Sequence, residues 1–499
     1  MSHRSRPRGL RPSGPRAAAG VCRAFVLAGL VALLPLAGCL TLLGGEQKVG
    51  DQAAAQIERE TGVVRSAPLD AYVRAIGERL AAGSKRPGPW RFVILDDPVP
   101  NAFALPGGHV YVTRGLLALA NSEDELAGVI GHEIGHVLEG HGGKRVNLNA
   151  PFAILTGITR FATGIVSPRL GQAVADGGNA LSQGLVVAPY SRQQERAADR
   201  IGQELAAAAG WDPSALSHFL DTLGRATVLM QGDQRRPGWL DTHPATPERV
   251  ATTAERAAQL RAADRPPIAR DRRDLLQRLD GLIVGRDAAH GVRVGGRFVR
   301  PEWRVSIGPP EGWSVGGNAD IAAAGAPSGD AMVALGSEGP GDDPRRAVRA
   351  LEAKTGETIE VEEIQVGGRP ALRHRGSERV RGGRLSFEST WVALAGRVFR
   401  LVAVCDERRA DAWRGTFQSV ATSLRAASAS ELAQVKDERL RSVEARAGED
   451  AARLAERSGS AWTGEQIEVA NGLATGAALE PGRLVKITRR EPYTPRTTP

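Results

Sequence analysis

Cysteine is nearly absent from this sequence, with three in 499 residues. Cys22 and Cys39 fall in the first forty positions, which read as a leader, so Cys405 is left without a partner. An internal disulfide framework is excluded, and so is a zinc site built from several thiolates. Aromatic residues are sparse at 4%, whereas Gly, Ala, Arg and Pro are plentiful, which implies long connecting segments. Long unbroken apolar runs are missing beyond position 40. Even the Gly-rich stretch from 147 to 188 is interrupted by Arg, Asp and Pro, too often for a transmembrane helix, and suits a cover over an active site or a membrane-surface contact. What remains, 42% hydrophobic and 24% charged, is a globular composition, and the length predicts two to four domains.

Acidic residues are missing from the leader. Arg4, Arg6, Arg8, Arg11, Arg16 and Arg23 precede "AFVLAGLVALLPLAGC", a basic region followed by an apolar one too short to span a bilayer comfortably. Its end, "LAGC", resembles a bacterial lipobox, which implies a signal peptide over 1–38 and acylation of Cys39 as the mature N-terminus. An uncleaved anchor or plain signal peptide is the other reading, and both export the protein. Leu40 stands where inner-membrane retention places Asp, which points to the periplasmic side of the outer membrane. Without the leader, 59 basic residues face 56 acidic ones and the formal charge falls from +9 to +3. The high pI thus belongs mostly to the leader, and nucleic-acid binding has no motivation.

Apolar spacing predicts two helices over 51–85, two strands and a turn from Trp90 leading into a helix, and then the best-marked helix of the chain, "NSEDELAGVIGHEIGHVLEGH". Ser122 and Glu125 form a capping box at its start, and Gly142-Gly143 are the expected stop. "YSRQQERAADRIGQELAAAAG" is a second clear helix, ended by Gly210 and Pro213, with further helical segments to about 285. Beyond that the texture turns to strands and hairpins.

The marked helix contains His-Glu-x-x-His. His132 and His136 lie 40° apart by a helical advance of 100° per residue, so both can reach one ion. Glu133 is placed to take a proton from water rather than to bind metal. His141 falls about 140° around from His136 and is not a natural third ligand. Glu195 is the better candidate, and Asp199, one turn on, is positioned to hydrogen-bond a ligand imidazole and hold its tautomer. Against a purely structural pair stands the setting: the histidines lie among Val129, Ile130, Ile134 and Val137, where unpaired polar groups are costly.

With these residues in view, the chain resembles the zinc metalloproteases that include the prenyl-protein endopeptidases and the HtpX-like proteases, more narrowly their periplasmic, outer-membrane-associated members. Four blocks carry the likeness: "NAFALPGGHVYVTRGLL", "ELAGVIGHEIGHVLEGH", "YSRQQERAADRIG" and "THPATPERV". The resemblance implies a mainly α-helical gluzincin domain with a small β-sheet, one Zn2+ per chain held by His132, His136 and Glu195, and Glu133 as general base. It implies an edge strand over Asn101, Ala102, Phe103, Ala104, Leu105 and Pro106, along which an extended substrate adds as a further strand. His243 is open to three roles: an oxyanion donor, a ligand in the open metal position that keeps the enzyme latent, or a loop residue shaping the cleft. Arg249 is expected to tie its loop to the ligand helices.

The stretch 293–427 resembles a Mog1/PsbP-like α/β sandwich. The stretch 443–490 resembles a LysM-like βααβ module through Gly448, Asn471, Gly472, Leu473, Leu479, Gly482 and Ile487. Such modules bind peptidoglycan sugars; Gly448-Glu449-Asp450 departs from the usual Gly-Asp-Thr, so a cap that kept the fold and lost the ligand is the competing reading. The expected organisation is a leader at 1–38, a metallopeptidase domain at 39–262, a helical linker at 263–292, the α/β domain at 293–427, a helical linker at 428–442, the module at 443–490 and a disordered tail at 491–499. The function expected is that of a lipid-anchored envelope endopeptidase acting on misassembled or damaged envelope proteins. The alternatives are a peptidoglycan cross-link endopeptidase using the same zinc site and a latent, chaperone-like binding protein.

Overall fold

The computed structural model describes residues 47–59, 61–86, 88–141, 190–229, 238–244, 246–380 and 383–495. The leader, Cys39 and the apolar stretch 147–188 lie outside them, as do Gly142 and Gly143. Among the described residues no helix is long and apolar enough to cross a membrane.

The first body begins with helical turns over 47–59 and the helix Ala67–Ala82. Three strands follow, where apolar spacing suggested two: Arg91–Leu95, Ala102–Leu105, at the place the resemblance put an edge strand, and His109–Thr113. The third is central, parallel to the first and antiparallel to the second, so Ala102–Leu105 forms an edge. Tight Gly107-Gly108 backbone at φ near +90° lets the chain fold the short second strand back on the third. The helix Glu123–Leu138 crosses this sheet and packs on Arg192–Ala208 and Ala215–Leu229. Leu126, Val129, Ile130, Ile134, Phe219, Leu220 and Trp239 occupy the core they share.

Both ends of the Glu123–Leu138 helix differ from the sequence reading. The Ser122 hydroxyl accepts from Glu125 N–H, but the Glu125 carboxylate accepts from Asn121 N–H at 2.7 Å, one residue before the position a closed box requires. The helix stops at Glu139, where Gly140 turns at φ +65°, before the expected Gly142-Gly143. Glycines also determine how closely the helices Glu123–Leu138 and Arg192–Ala208 approach. A Cβ on Gly131 would lie 2.9 Å from Gly202 carbonyl oxygen, and one on Gly202 would lie 2.6 Å from His132 nitrogen.

Beyond the helix Arg272–Leu279 the chain enters sheets. A seven-stranded antiparallel sheet spans 314–406, with the helix Ala410–Ser423 packing Phe417, Val420 and Ala421 among Val333, Leu335 and Leu401. A four-stranded sheet adjoins it, built from 292–294, 297–300, 305–307 and 425–426. The expected linker at 428–442 is only partly helical: Ala429–Gln434 is a helix, but Lys436–Glu444 is a strand. It pairs along its length with Leu484–Pro492 and at its start with Ile283–Val284, which lies inside the other expected helical linker. Between these strands run the helices Ala451–Ser458 and Gly464–Ala470. The described part of the expected disordered tail is ordered: Glu491 pairs with Asp437, and Tyr493 N–H bonds Val435 carbonyl oxygen at 3.0 Å.

Candidate active site

Gly131 and Gly135 clear one face of the Glu123–Leu138 helix toward Gly202 and Ala198, so the Arg192–Ala208 helix sits against its backbone. That approach brings Glu195, three positions into a helix capped by Ser191 and Gln194, up to the two imidazoles of the HExxH motif. A one-turn segment, Trp239–Thr242, ends in His243 and inserts it from a third direction. His132, His136, Glu195 and His243 are all buried, and one donor atom of each lies within 4.8 Å of the others.

The nitrogen Nε2 of His132 is 3.0 Å from Nε2 of His136 and 3.2 Å from Nδ1 of His243. Glu195 Oε1 is 3.3 Å from His136 Nε2 and 2.9 Å from His243 Nδ1. Zinc–ligand bonds of about 2.0–2.1 Å place tetrahedral donors about 3.3 Å apart, so these edges match a single ion to within a few tenths of an ångström. The tautomer of His132 agrees. Its Nδ1 faces Asp199 Oδ1 at 2.8 Å, which fixes the proton there and turns the Nε2 lone pair toward the cluster. A metal ion therefore fits this donor set.

Charge is arranged around the donors. Arg249 Nε and a terminal nitrogen each donate to Asp199 at 2.7 Å, and its other nitrogen lies 2.6 Å from Glu195 Oε2. The same nitrogen reaches the carbonyl oxygens of His243 and Pro244 at 3.3 and 3.4 Å. Burial opposes ionisation of Glu195, but the charge of His243 and hydrogen bonds from His136 and His243 hold its carboxyl well below the usual range. For Asp199 burial is likewise overcome, chiefly by the charge of Arg249, and its pKa is lowered. Burial depresses the pKa of His136 well below its ordinary value. At His132 burial acts the same way, but the bond to Asp199 together with the charges of Asp199 and Glu195 outweighs it and the pKa is raised.

Glu133 stands beside the cluster, fully buried. Its Oε1 accepts from the indole N–H of Trp239 at 2.9 Å and lies 3.6 Å from His243 Nε2, while its Oε2 has no hydrogen-bond partner among the described residues. His141 stays outside the donor set. The turn at Gly140 brings it to the far nitrogen, Nδ1, of His136 at 2.9 Å. Residues 101–106 line the chain into and out of the edge strand, against which the HExxH helix packs.

Two neighbours were not visible as site residues in the sequence. Trp239 stacks on His243 at 4.8 Å between ring centroids, and Tyr190 stacks on His136 at 3.7 Å. Each lies within a few residues of a motif, Trp239 four before His243 and Tyr190 five before Glu195, and that adjacency was the only available signal.

Residues 68–257 match the family model described as Peptidase family M48. The chain is similar to the beta-barrel assembly-enhancing protease of Escherichia coli O157:H7, 31% identical over 230 residues, covering 45% of this chain and 46% of that protein. It is similar to the mitochondrial metalloendopeptidase OMA1 of Arabidopsis thaliana, 34% identical over 166 residues, 33% of this chain and 31% of that one. The chain thus spans less than half the length of these curated relatives. The solution structure of PsbP from Synechocystis sp. PCC 6803 is matched at 14% identity over 28% of this chain and 95% of that one, with a TM-score of 0.19, too low to fix a fold. Family match and donor geometry coincide on the same residues: the segment 68–257, which matches the M48 peptidase model, contains all four members of the donor cluster.

Proposed function

We propose that this chain is a zinc-dependent endopeptidase of the bacterial cell envelope. Convergence of His132, His136 and Glu195 on one point, with Glu133 alongside, is the observation that carries the reading. His132, His136 and Glu195 would hold a zinc ion, which would supply a Lewis acid for a scissile carbonyl and lower the pKa of water to roughly 7. The protein's residues do the rest. Glu133 accepts the proton of the attacking water through its free Oε2 and passes it to the leaving amine. Asp199 keeps His132 in the ligand tautomer, and Arg249 offsets the charge of Asp199 and Glu195. The outer edge of Ala102–Leu105 offers main-chain donors and acceptors to an extended polypeptide, which favours protein over wall cross-links as substrate.

His243 lies in the donor set, with Nδ1 3.2 Å from His132 Nε2. This position supports the latent reading, in which His243 completes the coordination and must leave before substrate enters. The name of the Escherichia coli relative suggests substrates among envelope proteins, and acylated Cys39 would hold the enzyme at the outer membrane. Cleavage of casein by wild type, Glu133→Gln and His243→Ala tests this reading. Expected are activity in wild type, loss of at least about 100-fold in Glu133→Gln, and faster turnover in His243→Ala. Equal cleavage by wild type and Glu133→Gln would refute the assignment of the base.

A further inference from the structure

Trp239 does more than fill the core behind the site. Its indole N–H points at Oε1 of Glu133 at 2.9 Å, and both side chains are fully buried. An ionised carboxylate has about four lone-pair directions to satisfy. Here one oxygen is engaged by the indole, while Oε2, equally buried, has no partner among the described residues. The two oxygens of the base are therefore not equivalent.

The same tryptophan is anchored on its other sides. Its backbone N–H donates to Pro100 carbonyl oxygen at 3.2 Å, one residue before the stretch 101–106. Its ring lies at 22° to that of His243 and meets His132 edge-on at 5.3 Å. His243 N–H bonds back to Trp239 carbonyl oxygen at 2.8 Å, closing the turn that carries both residues. One short segment thus touches the base, the fourth donor and the entry to the edge strand.

We propose that Trp239 is a positioning residue for Glu133: its indole N–H pins Oε1 and leaves Oε2 as the only oxygen free to take the proton. The inference rests on the reading of Glu133 as general base. The role assigned to Trp239 in the reaction runs through that carboxylate. A phenyl ring at 239 keeps most of the packing and stacking but lacks the donor, so Glu133 loses its fixed rotation.

Kinetics and NMR test this on the full mature chain loaded with zinc. Trp239→Phe should lower kcat about 10- to 100-fold, the cost of a misplaced catalytic group, with KM, zinc content and thermal midpoint held. In the Glu133→Gln background the same change should have no further effect, since the two residues act as one unit. The second readout needs no turnover. Three indoles bond to carboxylates: Trp239 to Glu133, Trp211 to Glu123 at 2.8 Å and Trp413 to Asp330 at 3.4 Å. In 15N-tryptophan-labelled protein, Glu133→Gln should move the Trp239 indole resonance upfield and leave that of Trp211 in place.

Full kcat in Trp239→Phe, or no indole resonance moved by Glu133→Gln, would overturn the proposal. Should the phenylalanine variant fail to fold, the NMR arm decides alone. Undiminished cleavage by Glu133→Gln would instead sink the general-base reading, a failure distinct from that of the indole bond, which the NMR arm reports separately.

Discussion

At the scale of single residues, the site is built by partners rather than by the four donors alone. His132 would be an indifferent ligand if its proton were free to sit on either nitrogen; Asp199 at 2.8 Å removes the choice. Asp199→Asn keeps the shape but weakens the hold on that proton and leaves Arg249 with one carboxylate fewer. Metal affinity should fall about 10- to 100-fold, the usual effect of losing a carboxylate behind a ligand histidine. Competition with a chromophoric chelator measures it, and an unchanged affinity would show that Asp199 does not tune His132. Residues of this kind were partly legible. Asp199 follows Glu195 by one helical turn, so sequence periodicity places it on the same face. Trp239 lies 106 positions from Glu133, and no local pattern signals a contact that only the fold creates.

At the scale of elements, the critical feature is the closeness of two helices. Gly131 and Gly202 let their backbones meet where any larger residue would hold them apart. Alanine at either position should cost about 1–3 kcal/mol through overpacking and should weaken zinc binding, because Glu195 retreats from the histidines. Gly224, in the helix Ala215–Leu229, has nothing among the described residues within 4 Å of an added Cβ. Gly224→Ala should therefore stabilise by about 0.5–1 kcal/mol. Urea unfolding of the three variants distinguishes crowding from helix propensity; stabilisation by Gly131→Ala would contradict the close-approach argument. The HExxH helix was plain in the sequence because its cap, acidic first turn and apolar period agree. Lys436–Glu444 was not, because its charged residues favour helix, and it becomes a strand only by pairing with chain some fifty residues later and with Ile283–Val284. The short strand Ala102–Leu105 was hidden from apolar spacing by the prolines and glycines around it and was expected only through the family resemblance.

At the scale of the whole molecule, the C-terminal strand–helix–helix–strand unit is built onto the peptidase body. Lys486, wholly buried, donates to the carbonyl oxygens of Ala118, Leu119 and Ala120 at 2.9, 2.9 and 2.7 Å, just before the HExxH helix begins. Asn471 accepts from Lys486 N–H at 2.8 Å and from Arg272 at 2.9 Å, while Arg272 also bonds Asn121 carbonyl oxygen at 2.7 Å. Leu440 and Val469 join the peptidase core. This contact favours the structural reading of the module over the glycan-binding one for the face that carries Asn471 and Lys486. Lys486→Met leaves those carbonyls without their donor and should destabilise the peptidase body by roughly 1–3 kcal/mol. Differential scanning calorimetry would show it as a lowered peptidase transition; a transition unmoved would mean the module is merely tethered.

The most direct test of the central claim is the metal content of the purified, full-length mature protein, by mass spectrometry under native conditions. One zinc per chain is expected in wild type, with loss in His136→Ala and in Glu195→Ala. A wild-type chain that takes up no zinc, or variants that retain it in full, would contradict a metal centre at His132, His136 and Glu195.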